Sequence, residues 1–296
     1  MSYATLDQLK RRLKEIKDGS FDDILLEMLE AATEDIETYV SRHFYTWEGI
    51  RVFDGAKMYP GQSKMPSVKI DDVLNISQIK LDDGSGTYPL TLSRYLLYDK
   101  DGRPNGWPKT RLTLSLQSPS QGLADNIPQG VQITGVFGYG DGKSATPYVN
   151  SGDTVQVATT TGTTTIEVSE GELFSPGMLL RIDDEQFYVS KVTLYVAPPS
   201  PPPGDSLAGD TPDTNDILTV EGAQGGTTTA VHTQDAVIYI YRYPPEINQI
   251  CLTFAAEEWA WRDKQGLLNE RVADYSYTRD KRDYAPLDPF IIHWYG

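Results

Sequence analysis

The chain has 296 residues, with 26 Lys plus Arg against 42 Asp plus Glu, a formal net charge of −16 and a pI near 4.6. That balance excludes binding to DNA by phosphate neutralisation, which needs clustered Lys and Arg, yet it leaves DNA free to pass without sticking. A single cysteine, Cys251, excludes a disulfide framework and points to a reducing compartment. The length suits two domains, each long enough to bury its own core.

The opening, MSYATLDQLKRRLKEIK, is charged and amphipathic and has no apolar core of the kind that marks a secretion signal. No apolar stretch approaches the ~18 residues needed to span a bilayer. A soluble protein that stays in the cytoplasm, without a membrane partner, is the expectation. Thr5 is placed to cap a helix from Leu6 to about Lys17, with Gln8 at the reciprocal capping-box position. Ser20 is placed to cap a second helix that runs to about His43, with Asp22 and Asp23 in its first turn. Ile24, Leu25, Met28, Leu29, Ala32, Ile36, Tyr39 and Val40 are expected to face a core, and Glu27, Glu30, Glu34, Asp35 and Glu37 to form an acidic opposite face. Plain solvation accounts for such a face, as does a wall that repels nucleic acid or meets a basic partner.

After Tyr45 the period changes from helical to alternating. Glu48–Gly55, Ser67–Leu81, Tyr88–Tyr98, Arg111–Leu116 and Val131–Gly140 read as strands, separated by turns such as Asp82–Gly86 and Asp101–Gly106. From Asp141 to Tyr241 the composition shifts to Thr, Gly, Val and Asp, with fourteen acidic residues against three basic ones. Six strands are expected there: Asp153–Ala158, Thr164–Val168, Met178–Ile182, Gln186–Val192, Ile217–Val220 and Ala236–Tyr241. The Pro/Gly/Asp-rich run Ala197–Asp216 cannot enter a sheet and reads as a mobile loop. Residues 141–241 are therefore expected to be an all-β domain inserted into a loop of a host made of residues 1–140 and 242–296.

The host resumes with the helix around which it is organised, Tyr243 to about Gln265. Pro244 and Pro245 fall in its first turn, where the missing N–H groups cost nothing, and Glu246 complements the helix dipole. Ile247, Cys251, Phe254 and Ala255 recur at helical spacing, and Ile250, Leu252, Trp259 and Trp261 widen the stripe enough to predict burial on two sides. The last stretch, Leu267–Gly296, carries Tyr275, Tyr277, Tyr284, Phe290, Trp294 and Tyr295, while Pro286 and Pro289 break any helix. Such an aromatic segment docks either on its own domain or on a neighbouring subunit or partner.

The chemistry of a catalyst is not legible. His43, His232 and His293 have no Cys, Asp or Glu at a recognisable metal or triad spacing, so surface or packing roles are expected for each. Asp183-Asp184-Glu185 reads as a solvated hairpin turn, since three consecutive residues point different ways. Gly138–Ser144 is one residue short of a phosphate loop and is not followed by a helix start. No catalytic residue, metal or cofactor is expected, and the chain is read as not an enzyme.

In their order, TLDQLKRRL, FDDILLEMLEAATEDIETYVSRHFY, VQITGVFGYG and PPEINQICLTFAAEEWAWRDKQ resemble the head–tail connector (adaptor) proteins of tailed bacteriophages, the HK97-type group. The resemblance covers about Ser2–Gly140 and Tyr243 onward, and the pattern and order of the elements carry it. It implies an α+β fold, a small helical core with a β subdomain, here joined by the inserted all-β domain. It also implies a structural virion protein of the neck, assembled in the host cytoplasm, whose copies form a ring of about twelve under the portal protein. Such a ring extends the DNA channel, lets DNA pass without specific binding and docks the tail-side completion (stopper) protein. On that reading Glu27, Glu30, Glu34, Asp35 and Glu37 are the candidate channel-facing residues. Tyr275, Tyr277, Tyr284, Phe290, Trp294 and Tyr295 are then the candidates for docking on the portal or a neighbour. In the segment NERVADYSY, Ala273 stands where the family pattern has Gly. The run FSPGMLLRIDDEQFYV with ILTVEGAQGGTTTAVH is similar to a small β module of phage structural proteins, with Glu221 in place of Arg, and implies no ligand. The competing reading is an adhesive or sugar-binding β module on a helical stalk. All five tryptophans (Trp47, Trp107, Trp259, Trp261 and Trp294) lie outside the insertion, where such a module would need them.

Overall fold

Thr5 and Gln8 close the capping box that their spacing predicts. In the computed structural model, which describes residues 1–14, 16, 18–56, 67–99, 101–114, 123–140, 147–196, 214–262, 269–272, 275–278 and 282–291, the Gln8 amide donates to the Thr5 hydroxyl and the Thr5 amide to the Gln8 side chain. The resulting helix α1 (Leu6–Leu13) stops short of Lys17 because Lys14 turns to φ 60°, the left-handed geometry that ends a helix. Helix α2 spans Asp22–Val40. Ser20 does not cap it, since its hydroxyl donates to Asp18 Oδ1 at 2.7 Å; at the other end Ser41 takes φ 53° and stops the helix before His43. Helix α3 spans Pro245–Trp261 with Pro244 at its N-cap. Ile247, Cys251, Leu252, Phe254, Ala255 and Trp259 are buried on it, an arc of roughly 160° at 100° per residue. Glu246, Gln249, Glu257 and Ala260 remain exposed, so α3 buries one broad arc rather than two opposed faces.

Two antiparallel sheets of six strands each accompany the helices, an α+β fold. The first contains β1 (Trp47–Phe53), β2 (Ser67–Leu81), β3 (Leu90–Thr91), β4 (Tyr95–Tyr98), β5 (Lys109–Leu114) and β6 (Val131–Phe137). Its order is β1-β6-β2-β5-β4, with β3 paired to β2. The second contains β7 (Tyr148–Thr154), β8 (Thr165–Val168), β9 (Leu179–Ile182), β10 (Glu185–Thr193), β11 (Asp216–Glu221) and β12 (Val237–Tyr241), in the order β7-β12-β9-β10-β11-β8. A short hairpin, β13 (Asn269–Val272) with β14 (Tyr275–Thr278), follows α3. The expected strand Tyr88–Tyr98 is two strands, and the expected loop Ala197–Asp216 lies outside the described residues up to 213.

The chain divides into two compact units. One comprises residues 1–36, 148–224 and 228–287, and the other residues 37–147, 225–227 and 288–296. In the first unit the second sheet shares a body with α1, α3 and most of α2. The Leu6 amide donates to the Pro176 carbonyl (3.0 Å), the Asp7 amide to Ser175 Oγ (3.3 Å) and the Tyr188 hydroxyl to Glu30 Oε1 (2.7 Å). The stretch read as an insertion is thus hydrogen-bonded to the helices rather than only tethered to them. Its own core is Val155, Ile166, Val168, Phe174, Leu180, Ile182, Phe187, Val189, Leu218, Val220 and Ile238. Between α2 and α3, the Tyr3 amide donates to Thr33 Oγ1 (3.0 Å), that hydroxyl donates to the Leu29 carbonyl (3.0 Å), and Cys251 Sγ lies 3.6 Å from it. Burial pushes the Cys251 thiol up to about 11, which makes it a packing residue and a poor nucleophile.

The other unit is built on the first sheet, whose core includes Val68, Ile70, Ile79, Leu81, Leu112, Val131, Ile133 and Phe137. Strand β2 is long because it is bent: its pairing register slips between Lys69 and Val73, between Val73 and Asn75, and between Ile76 and Gln78. Gly135 on β6 lies so close to this irregular stretch that a Cβ there would sit 2.2 Å from the Asn75 carbonyl oxygen.

Candidate interaction surface

Helix α2 buries Leu25, Leu29, Ala32, Thr33, Ile36 and Val40. That arc leaves Ile24 (45 % exposed) and Tyr39 outside it, contrary to the core roles expected for both. Ile24 lies 100° round the helix from Leu25, about 80° outside the buried arc. Ile24, Glu27, Ala31, Glu34 and Thr38 together form an exposed line at alternating spacings of three and four residues.

The five acidic candidates on α2 are not one free wall. Among the described residues, Glu27 and Glu34 are exposed and have no cationic partner. Glu30 accepts the Tyr188 hydroxyl, whose ionisation burial pushes well above its usual value. Asp35 is paired with Arg282. Glu37 lies 2.8 Å from His43 Nδ1, so His43 has a carboxylate partner that its position in the sequence did not announce.

The C-terminal aromatic segment divides in the same way. Arg282 stacks over Phe254 (4.7 Å) and reaches Asp35, Glu257 (3.7 Å) and Glu258 (3.4 Å). Tyr284 packs edge-on against Phe254 at 5.4 Å. In the other unit, Phe290 sits 5.6 Å from Phe44 and 6.0 Å from Tyr139, and Tyr39 donates to Asp288 (2.8 Å). Tyr284 and Phe290 are therefore docked on their own chain. Tyr275 and Tyr277 lie on β14, opposite Val272 and Glu270 of β13. Trp294 and Tyr295 lie outside the described residues, as does His293.

Sequence reasoning missed a buried, well-connected polar cluster. His232 is completely buried, with Nδ1 2.9 Å from Asp183 Oδ2 and Nε2 3.1 Å from Glu185 Oε2. Glu185 is buried too, and its two oxygens also accept the Ala223 (3.1 Å) and Ala230 (2.7 Å) amides. The expected solvated turn thus has two exposed carboxylates, Asp183 and Asp184, and one, Glu185, that is part of the core. The imidazole thus has a carboxylate within hydrogen-bond reach of each ring nitrogen. Fully enclosed, it pins the loop before β12 to the β9–β10 turn. Thr159 completes the anchor, accepting the His232 amide while its own amide donates to the His232 carbonyl. No local motif could have revealed this group, because its members stand 47 residues apart.

A second buried charge lies in the other unit. Arg42, just past α2, meets Asp72 of β2 with Nε 2.6 Å from Oδ2 and Nη2 3.3 Å from Oδ1. Burial pushes the Asp72 carboxyl up to about 7, against the pull of Arg42. Beside the pair, Asp71 meets Arg51, whose guanidinium covers the Trp47 ring at 4.8 Å and the Phe137 ring at 5.2 Å. No protein-family model, no curated protein and no solved structure matches the chain.

Proposed function

We propose that the chain is a structural virion protein whose copies form a ring between portal and tail, extending the DNA channel and docking the tail-side completion protein. The order of its elements supports the reading through the resemblance to head–tail connectors. The observation that carries it furthest is the α2 line, where Glu27 and Glu34 stand exposed and, among the described residues, without a cation, in a chain of net charge −16. A channel wall needs little affinity for phosphate, because each Lys–phosphate contact would slow passage. Ile24 and Ala31 on the same line are suited to close contact with a neighbouring copy, and head-to-tail contacts close into a ring when the rotation permits. On this reading the ring works by shape and charge, without a cofactor or a reaction.

Light scattering of the purified chain, alone and then mixed with its portal, tests this. A ring, or a monomer that becomes a ring only on the portal, is the expected result. A monomer indifferent to the portal would overturn the reading and direct attention to sugar binding by the second sheet.

A further inference from the structure

The Arg42–Asp72 pair is held in a way that a purely structural ion pair does not require. Asp72 sits on the irregular stretch of β2, is 4 % exposed and has one cationic partner for two oxygens. Two oxygens of a buried carboxylate can take about four hydrogen bonds, and neither Arg42 Nε nor Asp72 Oδ2 makes one of good geometry. The pair borders a cavity of about 100 Å³, lined also by His43, Tyr45, Trp47 and Arg51. A polar cavity of that size admits water, and it leaves the Arg42 guanidinium somewhere to turn. The aromatic face of Tyr139, 5.2 Å from the guanidinium, can retain a cation that has lost its anion.

We propose that Arg42–Asp72 is a proton-operated latch. Ionised, Asp72 holds the segment that follows α2 against β2; protonated, it releases Arg42 to the cavity and the Tyr139 ring. Every charged or titratable group facing the pair bears on the proton's destination. The segment around the end of α2 contributes Glu37, Arg42, His43 and Tyr45, β1 contributes Arg51, and β2 contributes Asp71 beside Asp72. The β6 end contributes Phe137 and Gly138, which do not titrate, and Tyr139, whose ring faces the Arg42 guanidinium. Asp71 is answered by Arg51 and lies partly in solvent, and His43 is answered by Glu37. That leaves Asp72 as the group for which burial and a nearby like charge both favour the proton, and its carboxyl stands at about 7. Changes of pH around neutrality then shift the population between the two states. The latch rests on this unit alone and holds whether or not the chain joins a ring.

The test is a pH titration of the full-length chain by NMR, following the Arg42 side-chain Nε and the backbone amide of Phe44. In the wild type both resonances should move together between pH 5.5 and 8.5, with a single-proton midpoint. In Asp72→Asn both should be pH-independent and lie near the wild-type acid limit. In His43→Gln the transition should persist. A flat wild-type profile would overturn the proposal. So would a transition that survives in Asp72→Asn and disappears in His43→Gln, since His43 would then be the proton acceptor.

Discussion

The two six-stranded sheets each bury a carboxylate, and the two carboxylates behave oppositely. Asp72 in the first sheet has one guanidinium for company, and burial drives its carboxyl up to about 7. Asp153 at the end of β7 is as little exposed to solvent but far less deeply enclosed, and burial alone would raise it too. Yet it accepts from the Ser169 hydroxyl (2.7 Å) and from the Glu170 (2.8 Å), Thr154 (2.7 Å) and Ser169 (3.0 Å) amides, and these pull it below the usual carboxylate range. Glu185, in the same sheet, likewise accepts two amides and lies against an imidazole. Depth of burial and the number of donors that fold around a carboxylate together decide whether it stays ionised. The second sheet supplies those donors from tight turns, whereas the first sheet supplies a side chain and a cavity.

The largest test of that contrast is His232→Leu. It leaves Glu185 enclosed without its imidazole and should cost about 3–5 kcal/mol, read as a lower denaturant midpoint. The double variant with Glu185→Leu should recover part of that loss, because removing both members of a buried pair is far cheaper than removing one. Arg42→Leu probes the other sheet, and its cost should depend on pH. The folded-state value of Asp72 lies above its unfolded one. The stability tied to this group is therefore full below the unfolded value near 4 and lost as pH rises through about 7. The variant should be modestly destabilised at pH 5.5 and should lose about 3–5 kcal/mol at pH 8.5, where the charge would stand alone; an equal loss at both would break the comparison.

Asp153→Ala comes next, at about 1–3 kcal/mol for the amides left without an acceptor. Its pH dependence runs the opposite way: a depressed carboxyl contributes stability above the unfolded value that is lost as pH falls through the folded one. The difference between wild type and variant in thermal melting should therefore shrink toward pH 3. Asp184→Ala, one residue from Glu185 but on an almost fully exposed side chain, should leave the melting curve unchanged.

What could be read from the sequence was local. The Thr5–Gln8 capping box, the two prolines that open α3, the full span of β2 and five of the six strands of the second sheet follow from spacing and turn residues within a few positions of each other, whereas β7 runs Tyr148–Thr154, upstream of the expected Asp153–Ala158. Several errors fell where a contact in the folded chain outvoted a residue's type or position. Ile24 was counted with the apolar stripe but sits about 80° outside the arc that α2 buries. Ser20 was a good N-cap by type, but Asp18 took its hydroxyl. Glu30, Asp35 and Glu37 belonged to an acidic face by position, yet Tyr188, Arg282 and His43 each hold one of them. For the C-terminal segment, the aromatic content was legible, but the partners of Tyr284 and Phe290 were not, because Phe254, Phe44 and Tyr139 lie far away in the chain.

By itself the sequence determined the fold class, the element boundaries to within a few residues, the acidity of the chain and the structural role of its one cysteine. These depend on hydrophobic period, capping and turn chemistry, all of which act over a turn or two of backbone. Only the tertiary structure decided that the 148–241 sheet shares a body with the helices, which carboxylates are free and which are held, and where the buried charges lie. Each of those outcomes depends on how many hydrogen-bond donors converge on one oxygen from distant parts of the chain, and convergence in space leaves no mark on spacing in sequence.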